Sequence, residues 1–98
     1  MTRRFTIQPE ASLEANEAFN WYEDQQPGLG AEFYRELIRC FEFIIENPLL
    51  SRITYRGLRK RKLDRFPYLI IHKVTDDEIS VVSIFHGSRN PIIWKKRA

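Results

Sequence analysis

The chain has 98 residues, of which 43% are hydrophobic, 13% aromatic and 30% charged. That leaves room for one domain, expected over residues 1–98, and is too apolar for a disordered chain. The single cysteine, Cys40, excludes an internal disulfide and a cysteine-rich zinc site, and the formal net charge is +3.

Arg3 to Gln8 reads as a short strand, because Phe5 and Ile7 alternate with polar neighbours. Pro9 suits the first turn of a helix, where its missing N–H costs nothing. The first helix is expected from Pro9 to Gln25. At 100° per residue, Ala11, Ala15, Ala18, Phe19 and Tyr22 share one face. Trp21 borders that face and reads as a packing residue. Pro27-Gly28 ends the helix.

The second helix is expected from Leu29 to Glu46. Leu29, Phe33, Leu37, Cys40 and Ile44 form one apolar line. Tyr34, Ile38, Phe41 and Ile45 form a second line beside it. The short connection predicts an antiparallel helical hairpin. Asn47-Pro48 stops it, since the residue before proline resists the helical region.

Strand-formers dominate the rest. Ile53-Thr54-Tyr55 is short and β-rich. Leu58 to Arg65 reads as a basic, mostly solvent-facing strand. There Arg59, Arg61 and Leu63 share one side, and Lys60, Lys62 and Asp64 the other. Tyr68 to Val74 and Ile79 to Phe85 are strands joined at Asp76-Asp77. The fold class expected is α+β. It has an N-terminal strand, an antiparallel two-helix hairpin, then a three- to four-stranded mostly antiparallel sheet.

Charge is divided unevenly. Residues 1–50 hold 4 Lys/Arg against 9 Asp/Glu, a balance of −5. Residues 51–98 hold 12 against 4, a balance of +8. Residues 52–65 alone carry seven basic groups, five of them arginine. Charge can blunt an edge strand, but this excess exceeds that need and points to an anionic partner. Arginine suits bidentate contact with carboxylate or phosphate.

His86 and Arg89 follow a strand end, a common place for functional residues. They read either as a general acid/base and a phosphate clamp or as a packed histidine and a solvated arginine at a capped strand end. His72 lies mid-strand and reads as structural. Trp94, beside a basic tail, is either a docking anchor or a core plug. The sequence holds no glycine-rich phosphate loop, no H-E-x-x-H and no histidine pair at ligand spacing. No cofactor or metal is expected. The longest aliphatic run, Leu69-Ile70-Ile71, is far too short for a bilayer. No apolar leader follows Met1, so a cytoplasmic protein with no membrane partner is expected.

The pieces together resemble the RelE/ParE superfamily of type II toxin–antitoxin toxins. The residues that carry this are Trp21-Tyr22, Pro27-Gly28-Leu29-Gly30 with Phe33, Glu46-Asn47-Pro48 and Gly57-Leu58-Arg59. Arg65-Phe66-Pro67-Tyr68 and the ending His86-Gly87-Ser88-Arg89-Asn90-Pro91-Ile92-Ile93-Trp94 are similar to the ParE, or plasmid-stabilisation, branch. The resemblance implies a cognate antitoxin and a growth-arresting toxin that inhibits DNA gyrase. The alternative is a RelE-like nuclease cutting mRNA on the ribosome. Phe66-Pro67-Tyr68 lacks the arginine such nucleases tend to carry there. Trp94, which cannot exchange a proton, stands near the place of their tyrosine. A further alternative is a non-toxic antitoxin-binding module.

The site residues follow from these readings. Nuclease chemistry would use Arg59, Arg61, His86 and Arg89. Target binding would use Arg59, Arg61, Arg65, Arg89, Trp94, Lys95, Lys96 and Arg97. The antitoxin would cover Tyr34, Ile38, Phe41 and Ile45. A homodimer or a toxin–antitoxin hetero-oligomer is the expected assembly.

Overall fold

The computed structural model describes residues 2–98. Strand β1 spans Arg4–Ile7, helix α1 Pro9–Gln25 and helix α2 Leu29–Glu46. Strands β2 (Arg52–Tyr55), β3 (Leu58–Lys62), β4 (Tyr68–Val74) and β5 (Glu78–His86) follow, then a short helix α3 (Ile92–Lys95). The class is α+β.

Four strands follow the helices, and β1 joins them in a five-stranded sheet of order β1-β5-β4-β3-β2. β1 runs parallel to β5, and the other pairs are antiparallel. β1 and β2 therefore lie at opposite edges. The helical hairpin carries the chain across the whole width of one face.

Each helix start has a local cause. Pro9 opens α1. Gly28, at φ 92°, turns the chain into α2 in a conformation that side chains resist. The Glu23 carboxylate of α1 then accepts the Gly28 and Gly30 N–H groups at 2.9 and 3.0 Å. These are orphan donors of α2's first turn, and a negative charge there also suits the helix dipole. Gly30 must be small, since a Cβ there would sit 2.8 Å from the Phe19 carbonyl oxygen. The two helices touch at that point.

Two apolar clusters lie on either side of the sheet. Between helices and sheet, Ala11, Ala18, Phe33, Leu37 and Ile44 meet Leu63, Ile70, Ile79, Val81 and Ile84. On the other face, Leu58, Ile71, Val82, Phe85 and Trp94 pack together. A bulge explains how β5 serves both. Ile71 pairs with Ser83 and His72 with Val81, so Val82 is the extra residue.

Three expectations need correction. The basic strand ends at Lys62, not Arg65. It is not mostly solvent-facing either: Leu58 and Leu63 are buried, and Arg59, Lys60 and Arg61 are half-buried. The reason is topological, because β3 lies inside the sheet and β2 forms the edge. Trp21 is not packed away; it is 58% exposed.

Candidate functional site

Register decides which cations share a face. Arg59 and Arg61 pair with His72 and Ile70, on the helix side. Lys60 and Lys62 pair with Ile71 and Leu69, on the opposite side. Arg52 lies directly across from Lys60. Lys73, one residue beyond His72 on β4, falls on the same outer face. At its corner, Lys95 Nζ and Arg56 Cζ lie 5.0 and 5.4 Å from the Tyr55 ring centroid.

Among the described residues the ion pairs are Arg65–Glu32 at 2.8 Å and Arg97–Glu14 at 3.0 Å. Arg52, Lys60, Lys62 and Lys73 thus stand together without carboxylate partners. Like charges placed directly opposite across strands cost stability. This arrangement suits a partner that brings negative charge.

The other basic candidates are tied into the fold. Arg59 Nη1 donates to the Leu49 and Ser51 carbonyls at 3.2 and 2.8 Å, fastening the connection between α2 and β2. Arg61 lies over the Phe43 ring at 4.0 Å. Arg65 binds Glu32 by its side chain and Glu36 by its N–H. Arg97 donates to Glu14 and to the Val82 carbonyl, both at 3.0 Å. Trp94 is 4% exposed, with Tyr55 and Phe85 each 6.4 Å away. Arg89 and Lys96 are exposed.

Arg97 and Glu14 complete an open sheet edge. β1 stops opposite Val81, so the rest of β5 has no strand on that side. Glu14 accepts the Ile84 N–H at 3.2 Å and the Ser83 hydroxyl at 2.9 Å, while Arg97 serves the Val82 carbonyl. The pair stands where a longer β1 would have bonded.

The four nuclease candidates do not share one cleft. Arg61 lines a groove with Arg39, Cys40, Phe43 and Asp64. His86 and Arg89 line a separate cleft of about 610 Å³ between α1 and the ends of β4 and β5. Glu14, Glu17, Trp21 and Tyr68 also line it. His86 Nδ1 accepts the Ser88 N–H at 3.1 Å and lies 2.8 Å from the Ser88 hydroxyl. That assigns the neutral ring's proton to Nε2. Tyr68 packs edge-on against His86, centroids 5.2 Å apart. Burial pushes its phenol up; Arg89 draws it down, and Glu17 and Glu14 push it up. Sequence reasoning missed Glu14, Glu17 and Trp21 here, although their i, i+3, i+7 spacing puts them on one side of a helix.

Burial shifts the titratable groups inside the fold. His72 is fully buried, with Nδ1 3.4 Å from the Ile70 carbonyl, and burial pulls its pKa down to about 4. Burial pushes the Cys40 thiol up to about 11. Among the described residues no His/Cys/Asp/Glu group could hold a metal, and no helix is long and apolar enough to cross a membrane.

The second apolar line of α2 divides. Tyr34 stacks on Phe19 at 4.5 Å and donates to Asn16, and Phe41 packs on Phe5 at 5.2 Å. Ile38 is 55% exposed and Ile45 47%. Exposed Leu49, Leu50 and Ile53 follow them, around the C-terminal end of α2 and the edge strand β2.

Comparison with known proteins gives one family. The family model described as "ParE toxin of type II toxin-antitoxin system, parDE" matches residues 5–91. Toxin ParE2 of Mycobacterium tuberculosis (strain CDC 1551 / Oshkosh) is 26% identical over 92 residues, covering 93% of this chain and 88% of the relative. Toxin ParE2 of strain ATCC 25618 / H37Rv gives the same figures. A solved structure titled "Chromosomal ParDE TA system from P. aeruginosa" superposes with a TM-score of 0.77 at 16% identity, covering 87% of this chain and 96% of that one. The last is a likeness of fold.

Proposed function

We propose, from the premise that this chain belongs to the ParE toxin family of type II toxin–antitoxin systems, that it arrests growth by binding and inhibiting DNA gyrase. A cognate antitoxin neutralises it. The observation that carries this reading is the outer sheet face. Arg52, Lys60, Lys62 and Lys73 lie there without carboxylate partners, with Lys95 at the corner.

The target contact then centres on cations free of internal work: that group together with Arg89 and Lys96. Arg59, Arg61, Arg65 and Arg97 hold the fold by their contacts, and Trp94 supports the face from beneath. The separation of Arg61 from His86 and Arg89 favours a binding toxin over a nuclease using all four. The antitoxin docks along Tyr34, Ile38, Phe41 and Ile45. Exposed Ile38 and Ile45 accept the apolar side of an amphipathic segment. Acidic groups on that segment would meet the arginines of the second half, so the complex weakens with salt.

Purified protein is expected to block gyrase supercoiling and to leave translated mRNA uncut by primer extension. Unaltered supercoiling at saturating protein overturns the gyrase reading. Cleavage in the ribosomal A site, lost on replacing His86 and Arg89 together, would put the nuclease in its place.

A further inference from the structure

The cleft between α1 and the end of β5 has the make-up of a ligand site. Its volume of about 610 Å³ falls within the roughly 300–1,000 Å³ typical of small-molecule pockets. Glu14 is fully committed to Arg97, Ser83 and Ile84. Ser88 is engaged by His86 Nδ1, and four other polar groups are free. Among the described residues, the Tyr68 hydroxyl, His86 Nε2, the Arg89 guanidinium and the Glu17 carboxylate have no hydrogen-bond partner in the protein. Tyr68 and His86 are directly opposed in the β4–β5 register, and Arg89 follows in the next turn. Three donors therefore share the strand side of the cleft, and the Glu14 and Glu17 carboxylates of α1 face Tyr68 closely enough to push its phenol up.

The other feature is Trp21. It is 58% exposed, and it meets Tyr22 at 85° with centroids 5.2 Å apart. The ring is held edge-on and nothing stacks on it. A flat apolar platform beside a cluster of N–H and O–H donors selects a particular chemistry. An inorganic anion would leave Trp21 unused. A cationic side chain would have to approach Arg89. A planar ring carrying an anionic group uses both.

We propose that this cleft binds a nucleoside monophosphate unit. Its phosphate is held by Arg89, His86 Nε2–H and the Tyr68 hydroxyl, and its base lies on Trp21. Glu17 accepts hydrogen bonds from the sugar hydroxyls or base amino groups. Charge-assisted contacts from arginine to phosphate are the strong ones, and base–aromatic stacking is tolerant of sequence.

The test uses the full chain, titrated with adenosine monophosphate, adenosine and inorganic phosphate, and followed by tryptophan emission and calorimetry. Saturable quenching by the monophosphate is expected, at least about tenfold tighter than by either fragment. Arg89→Ala should weaken it about tenfold, since losing one charged contact is worth about that factor. Trp21→Phe should abolish the quench while calorimetry still shows weakened binding. Both residues are exposed, so both variants should keep the wild-type circular dichroism. A 5′-phosphorylated trinucleotide that binds tighter than the mononucleotide identifies a chain end as the source; the reverse identifies the free nucleotide. No saturation at millimolar monophosphate, equal affinity for phosphate alone, or wild-type binding by Arg89→Ala would overturn the assignment.

Discussion

His72 should make the fold sensitive to mild acid. The imidazole is fully buried on the helix side of the sheet, opposite Arg59 in register. Burial lowers its pKa first; the Ile70 carbonyl raises it, and Arg59 and Arg61 lower it again, leaving it at about 4 against the ordinary 6.5. The folded protein keeps the ring neutral through that interval, while the unfolded chain takes up a proton. Stability is therefore fully present above the ordinary value and is lost as pH falls toward the folded one. The slope is about 1.4 kcal/mol per pH unit, so roughly 3 kcal/mol is lost across the window. Against a typical total of about 5–15 kcal/mol, that is a large share. Urea unfolding between about pH 7 and pH 4.5 would measure it, with His72→Leu as control. This change removes a ring whose Nε2 has no partner, and it forfeits only a long contact. Carboxylates titrate in both proteins, so the difference between the two slopes isolates His72. Parallel slopes would refute the reasoning.

Other perturbations follow from single contacts. Gly30→Ala places a Cβ 2.8 Å from the Phe19 carbonyl oxygen. It should destabilise the helical hairpin by about 1–3 kcal/mol, read as a fall in melting temperature. Arg97→Ala strips Glu14 of its cation and the Val82 carbonyl of its donor. A loss of about 2 kcal/mol is expected in chemical denaturation, and adding Glu14→Gln should cost less than the sum of the single changes. Ile38→Asp with Ile45→Asp should leave folding intact and weaken antitoxin binding by about tenfold or more in calorimetry.

Periodicity made the helices and most strands legible. Both helices have the bounds that proline, glycine and apolar spacing indicate. The sheet was harder. Nothing local says that β1 pairs with β5, because that contact joins residues far apart in sequence. The same gap hid the place of β3. A basic strand looks like an edge, and only the order β4-β3-β2 shows that it lies inside. The Arg56-Gly57 turn was equally quiet, though φ values of 48° and 79° make it a tight hairpin turn. Site residues suffered most. Arginine contacts with Ser51, Phe43, Glu32 and Glu14 depend on tertiary geometry. Composition counts those cations alike, whether they hold the fold or face outward.

The interior place of β3 gives its charges a cost that edge protection cannot explain. Lys60 faces Arg52 directly across the β2–β3 ladder, and Lys62 stands two residues along on the same side. A sheet under selection for stability alone would set a carboxylate or a threonine at Lys60. Lys60→Glu should therefore stabilise the isolated protein, by about 0.2–1 kcal/mol for an opposed pair of opposite sign. The same change should weaken gyrase inhibition, because it inverts charge in the middle of the outer face. A gain in stability with a loss of function is the expected pattern where a surface is kept for a partner. Thermal unfolding and the supercoiling assay on one preparation would read both. If Lys60→Glu unfolds more easily, the repulsion across the ladder is not the dominant local effect. If it inhibits as strongly as the parent, the outer face is not the working surface.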